Sequence, residues 1–260
     1  MRAYATMARL SMRTTFAYRQ AYALGTAASC LGLVASLALW SALLSSGAQL
    51  GGFTLTEMKG YMLVTFATNW LGNAVGEWSL ANRIRDGQVA IDLVRPIATQ
   101  RLMFAQVAGG FPVEVLIIGG AAAGFVLLAG PVPAPQRPLL LSVSLLLVIP
   151  LRFGIGFLTA LVVFWTENFH GVAWARNAVS QLLSGSLVPL ALMPQWLQVT
   201  AAVLPFASLT SSPALIYLGK VDTAGALGLV GLQIFWTVAI WFGAQLAFRG
   251  ASRQVTVHGG

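Results

Sequence analysis

Charge is what this sequence has least of. Of 260 residues, 15 are Lys or Arg and 7 are Asp or Glu, so 8% of the chain is charged, against about 25% in an ordinary soluble domain. A soluble globule is therefore excluded as the default class. With 57% hydrophobic residues and a mean hydropathy of +0.78, so is a disordered chain. Cysteine is nearly missing: Cys30 stands alone among apolar neighbours, which rules out an internal disulfide and a Cys-based zinc or iron–sulfur cluster and leaves a small packing residue. Histidine occurs twice, at His170 and His258, too few for a His-rich metal site, and the sparse acids form no carboxylate cluster. No metal or cofactor site is expected in the chain. The net charge of +8 comes from basic residues scattered between apolar runs. That pattern excludes nucleic acid as the expected partner and points to orientation in a lipid bilayer.

Catalytic patterns are lacking too. Ser184 and Ser186 could serve as nucleophiles of an intramembrane protease, but His170 precedes them in a loop and His258 lies in the tail, so neither can act as their base. Gly219-Lys220 has no preceding glycine loop and no hydroxyl after the lysine, so nucleotide hydrolysis by this chain is not expected.

What is present is apolar sequence in long runs. A membrane-crossing helix needs about 20 mostly apolar residues. Six candidates lie near 22–44, 59–80, 103–129, 138–165, 176–193 and 224–248. Six spans put both termini on one side. Eleven arginines (2, 9, 13, 19, 83, 85, 95, 101, 176, 249 and 253) fall on that side, against Lys59, Arg137 and Lys220 on the other, which places the termini in the cytoplasm. The basic residues of the opening segment are spread widely and no small-residue cleavage pattern follows, so it is expected to be retained. Residues 1–20 put Arg2, Thr6, Arg9, Arg13 and Gln20 on one helical face and Tyr4, Met7 and Tyr18 opposite, an amphipathic helix at the cytoplasmic interface that either anchors or docks. No repeat is visible, and 1–260 reads as a single membrane domain.

Three segments depart from plain lipid-soluble helix. Residues 82–98 form a cytoplasmic connection in which Gly87 starts a new direction and Pro96 biases Arg95 out of the helical region. The two-turn helix between them carries Val89 and Leu93 on an apolar stripe flanked by Arg85, Asp86, Asp92 and Arg95. It suits either a groove on a soluble partner or the lipid headgroups. The stretch 195–217, bracketed by prolines at 189, 194, 205 and 213, cannot be one straight span and reads as an outer re-entrant hairpin of two short helices. The third departure is a set of polar groups at membrane depth. Asn69, Asn73 and Glu77 share one face of the second span, and Glu114 and Arg152 sit near the middle of the third and fourth. An unpaired charge there costs at least about 2.5–3.5 kcal/mol, so Glu114 and Arg152 are expected to pair or to face a hydrated cavity.

Together these segments resemble the ABC type-2 permease family, the six-span membrane subunits of bacterial ATP-binding-cassette exporters whose ATPase is a separate chain. The resemblance rests on Ile84-Arg85-Asp86-Gly87 through Asp92-Leu93-Val94-Arg95-Pro96-Ile97, on Phe164-Trp165-Thr166-Glu167-Asn168, and on Leu183 to Pro189 with Met193-Pro194-Gln195-Trp196-Leu197 and Leu204-Pro205-Phe206. It implies an all-α membrane protein in the bacterial plasma membrane, with 1–20 as an interface helix and the segment from Gly87 to Arg95 as a coupling helix. It also implies a second permease copy or a sibling, and a soluble ATPase subunit that binds ATP and Mg. The cavity wall would then come from the second and fifth spans, where Asn69, Asn73, Gln181 and Ser184 offer hydrogen bonds among apolar groups, and the cargo would be amphipathic or lipid-like. Two other readings compete. One is a proton-coupled secondary transporter with Glu114 or Glu77 as carrier and Arg152 as counter-charge. The other is a membrane scaffold that transports nothing.

Overall fold

The computed structural model describes residues 6–7, 10, 19–44, 49–71, 76–89, 98–166 and 168–252. Among these the chain is all-helical: α1 Arg19–Leu43, α2 Leu55–Trp70, α3 Gly76–Arg85, α4 Thr99–Ala129, α5 Pro138–Leu161, α6 Phe169–Ser184, α7 Gln195–Val203, α8 Ser211–Leu218 and α9 Thr223–Ser252. Four stretches are long and apolar enough to cross a membrane: Tyr22–Leu43, Thr99–Ala129, Pro138–Phe164 and Thr223–Ser252. They match the first, third, fourth and sixth expected spans.

The other two expected spans take a different form. The run 59–80 is divided, because α2 stops at Trp70 with Leu71 extended and a new helix, α3, starts at Gly76. α2 starts at Thr54, whose hydroxyl accepts from Glu57 N while the Glu57 carboxylate accepts from Thr54 N, a reciprocal capping box. α6 begins earlier than the expected 176–193 because Asn168 caps it, accepting from Gly171 N at 3.0 Å. It ends at Gly185, where φ is +78° and the left-handed backbone favours glycine. Each of α2 and α6 has 16 residues, about 24 Å of helix against a hydrocarbon core of about 30 Å. In the stretch 195–217, expected as an outer re-entrant hairpin, the structure has two short helices, α7 and α8, on either side of Pro205.

α5 is the central helix: 61% of its spanning window is buried, against 11–17% for the other three. α9 packs along it through Ile240 and Ala244, and Leu80 and Ile84 of α3 and Met103 and Val107 of α4 join the same core. A second cluster joins Leu33 and Trp40 of α1, Tyr61, Phe66 and Trp70 of α2, and Phe125 of α4. The outward faces are apolar, with Leu24, Leu31, Leu116, Leu127 and Leu246 all exposed, as a bilayer setting requires.

The short helices are held by polar ties that meet the backbone demand of non-spanning structure in lipid. Fully buried Gln233 of α9 donates to Ser208 O at 2.7 Å and to Ser144 O at 3.4 Å. Thr68 of α2 and Thr210 share a buried hydroxyl bond of 3.1 Å, and Tyr61 donates to Gly185 O at 2.7 Å. At the start of α2, Lys220 closes a clasp: its ammonium lies 2.5 Å from the Glu57 carboxylate, 2.8 Å from Gly52 O and 5.2 Å from the Phe53 ring centroid.

Candidate translocation site

Two cavities adjoin between α1, α2, α5 and α6. The first, about 230 Å³, is polar and is lined by Asn69, Arg152, Arg176, Asn177, Ser180, Gln181, Ser184 and Ser186, with Ile155 and Leu209. It arises because positions 176, 177, 180, 181 and 184 recur on one side of α6 at helical spacing. The second, about 330 Å³, shares Asn69 and Ser186 with the first and is lined by Trp40, Tyr61, Phe66, Trp70 and Leu187 together with the hydroxyls of Ser29, Ser36 and Thr65. Along α6 and the turn after it the polar lining comes first and the aromatic cavity follows.

Arg152 is half-buried on α5 and sits at the C-terminal end of α2. Its Nη1 donates to Asn69 O at 3.2 Å and its Nη2 to Asn69 Oδ1 at 3.3 Å. The carbonyls of a last helical turn have no intrahelical partner and carry the negative end of the helix dipole, so a guanidinium there is a favourable cap. The direct ion pair of the site is formed elsewhere. Glu77, in the first turn of α3, where a carboxylate faces the positive dipole end, lies 2.5 Å from Arg176 Nη2, and each side chain is 18% exposed. Glycine at 156 makes this possible: a Cβ there would lie 2.8 Å from Glu77 Oε2. Glu114, expected to pair with Arg152, is 4% exposed on α4 and attracts it through space, as does Glu77, while Arg176 repels it. Among the described residues, the guanidinium's hydrogen bonds go to Asn69. Arg152 Nε, Arg176 Nε and Ser180 Oγ are buried without a hydrogen-bond partner among the described residues.

A family model described as "ABC-2 family transporter protein" matches residues 31–259. The chain belongs to the ABC-2 transporter family. Searches of curated proteins and of solved structures find no significant match. Permeases of this family are membrane components, are not themselves catalytic, and typically work with an ATPase partner. This chain is accordingly a multi-pass integral membrane permease.

Within this ABC-2 permease, the structure brings Asn69, Gln181 and Ser184 into one cavity, together with Arg152, while Asn73 lies outside the described residues. Sequence reasoning missed Arg176, which it counted as a loop residue, and its pairing with Glu77. The signal was available, since Glu77 was placed at the cytoplasmic end of the second span and Arg176 at the cytoplasmic start of the fifth. In the connection 82–98, Arg85 and Asp86 are exposed and 3.5 Å apart, and Gly87 adopts φ +71°, which lets the chain change direction. Val89, expected on an exposed stripe, is 1% exposed and belongs to the central core with Leu80, Ile84 and Met103. Its apolar side chain is used inward, against the permease. Asp92, Leu93, Arg95 and Pro96 lie outside the described residues, as does nearly all of the amino-terminal helix expected over 1–20.

Proposed function

We propose that this permease forms half of the membrane part of an ATP-driven exporter in the bacterial plasma membrane, with six spans and both termini in the cytoplasm. A second permease, identical or a sibling, completes the path, and two soluble ATPase subunits that bind ATP and Mg drive it. The observation that carries this reading is the pair of adjoining cavities between α1, α2, α5 and α6, one lined by arginines and amides and the other by aromatic side chains and hydroxyls. A cargo with a polar head and an apolar body fits such a pair, which supports an amphipathic or lipid-like substrate. Closure of the ATPases would move the loops 82–98 and rock the two permease halves about the cavities.

The test is purification of the tagged chain from its native membrane in mild detergent. A soluble ATPase is expected to come with it and to be lost in Leu93→Asp. Val89 is unsuitable for this purpose, because an aspartate there would disturb the core. If the chain is folded and abundant yet brings no ATPase, the exporter reading falls and a gradient-driven or non-transporting role replaces it.

A further inference from the structure

Resting on the permease reading and naming its cargo class, we infer that the joined cavities bind an amphiphile with an anionic, phosphate-like headgroup, the head on Arg152 and Arg176 and the tail among Trp40, Phe66, Trp70 and Leu187. The charged side chains lining the polar cavity are both arginines; among the described residues no carboxylate lines it. Glu77 is already engaged by Arg176, and both direct acceptors of Arg152 belong to Asn69, a neutral residue.

Each arginine keeps a buried Nε without an acceptor, and so does the Ser180 hydroxyl. Buried polar groups are usually satisfied, and the three donors left over among the described residues at this cavity all take the same kind of partner, an oxyanion. A cationic head would meet both guanidiniums in the lining, whereas the carboxylates of Glu77 and Glu114, which act on these arginines, are not among the lining residues. Arginine forks match phosphate and carboxylate oxygens, and burial strengthens the attraction. The cavity reached through Asn69 and Ser186 adds Trp40, Phe66, Trp70 and Leu187, apolar surface for a chain, beside the hydroxyls of Ser29, Ser36 and Thr65. The order along α6 also fits: the head lies toward the α6 start, which the loop arginines place on the cytoplasmic side, and the tail toward the bilayer interior and beyond. An amphiphile drawn from the inner leaflet has that orientation.

The experiment is equilibrium binding of radiolabelled dodecyl phosphate, butyl phosphate and dodecyltrimethylammonium to the full-length permease in phosphatidylcholine nanodiscs. Dodecyl phosphate is expected to bind saturably and at least about tenfold more tightly than the cation. Arg152→Gln should weaken both phosphates about ten- to a hundredfold, as loss of hydrogen bonds to a charged group does. Leu187→Ser, at an exposed position on the tail wall, should weaken dodecyl phosphate and leave butyl phosphate unchanged. Should Arg152→Gln not fold, Asn177→Asp decides, because it puts a carboxylate at the exposed rim of the cavity and is expected to repel both phosphates at least about tenfold. Equal or tighter binding of the cation, or phosphate binding indifferent to these variants at wild-type melting temperature, overturns the inference. Binding needs no ATPase, so this failure is separate from that of the exporter reading, which shows as absence of a co-purifying ATPase.

Discussion

The permease contains two carboxylate pairs of similar length, and they are finished very differently. Glu57 and Lys220 meet at 2.5 Å in the clasp at the start of α2, and every polar atom in reach has a further partner: the lysine bonds Gly52 O and lies over Phe53, and the carboxylate accepts from Thr54 N and Thr54 Oγ1. Glu77 and Arg176 also meet at 2.5 Å, more deeply buried, yet Arg176 Nε and the neighbouring Arg152 Nε are left without acceptors. A closed network specifies a structure; one left with spare donors costs stability unless something else completes it. The contrast separates a joint of the scaffold from a site.

The comparison breaks most visibly at Glu77. Glu77→Leu strands a buried guanidinium and is expected to destabilise the chain by about 3–5 kcal/mol, whereas Glu77→Leu with Arg176→Met should recover most of that loss. Thermal unfolding of the purified chain in nanodiscs reads both, and a double variant no better than the single one would mean that Glu77 has another essential partner.

A smaller effect is expected at Gly156. Gly156→Ala puts a Cβ 2.8 Å from Glu77 Oε2, which must move the carboxylate or part α3 from α5, at a cost of about 1–3 kcal/mol. Wild-type stability in this variant would show that the pair does not depend on the close approach.

The clasp should give the smallest change. Burial favours the neutral acid at Glu57, but hydrogen bonds from Lys220 and Thr54 outweigh it, so its pKa lies below the ordinary carboxylate value of 4.5. A depressed folded pKa contributes stability that is complete above 4.5 and is lost as pH falls through the lower value. Lys220→Met should therefore cost about 1 kcal/mol or less at pH 7, and the gap in melting temperature between it and wild type should hold to pH 5 and narrow below 4.5. A gap that closes between pH 7 and 6 would assign the clasp to some other titrating group.

Much of this was legible in the sequence wherever one physical effect dominates. The runs 103–129, 138–165 and 224–248 are apolar over more than a bilayer's thickness, and α4, α5 and α9 occupy them. Pro205 separates the two short helices α7 and α8. The second and fifth spans were harder, because hydropathy carries through helix ends that local chemistry decides. No charge or proline stands between Lys59 and Glu77 to announce the extended turn at Leu71, and α6 is bounded by the Asn168 cap and the left-handed Gly185 rather than by polarity. In the site, the amides and Ser184 could be read from helical spacing. Which arginine meets which carboxylate depends on how α3 and α6 approach α5, where Glu77 passes close over Gly156, and helical spacing alone does not carry that.

Val89 has a mechanical consequence. A loop residue with its side chain free in solvent can be pushed without the bundle feeling it, but Val89 is wedged among residues of α3 and α4 in the core that α5 organises. Close-packed interiors yield little before they shift as a unit. Displacing the chain just beyond Val89 therefore means either prising that side chain out of its hole or carrying α3 along. Since α3 holds Glu77, the load would arrive at the Arg176 pair on the wall of the polar cavity: the loop is geared to the cavity rather than hinged beside it.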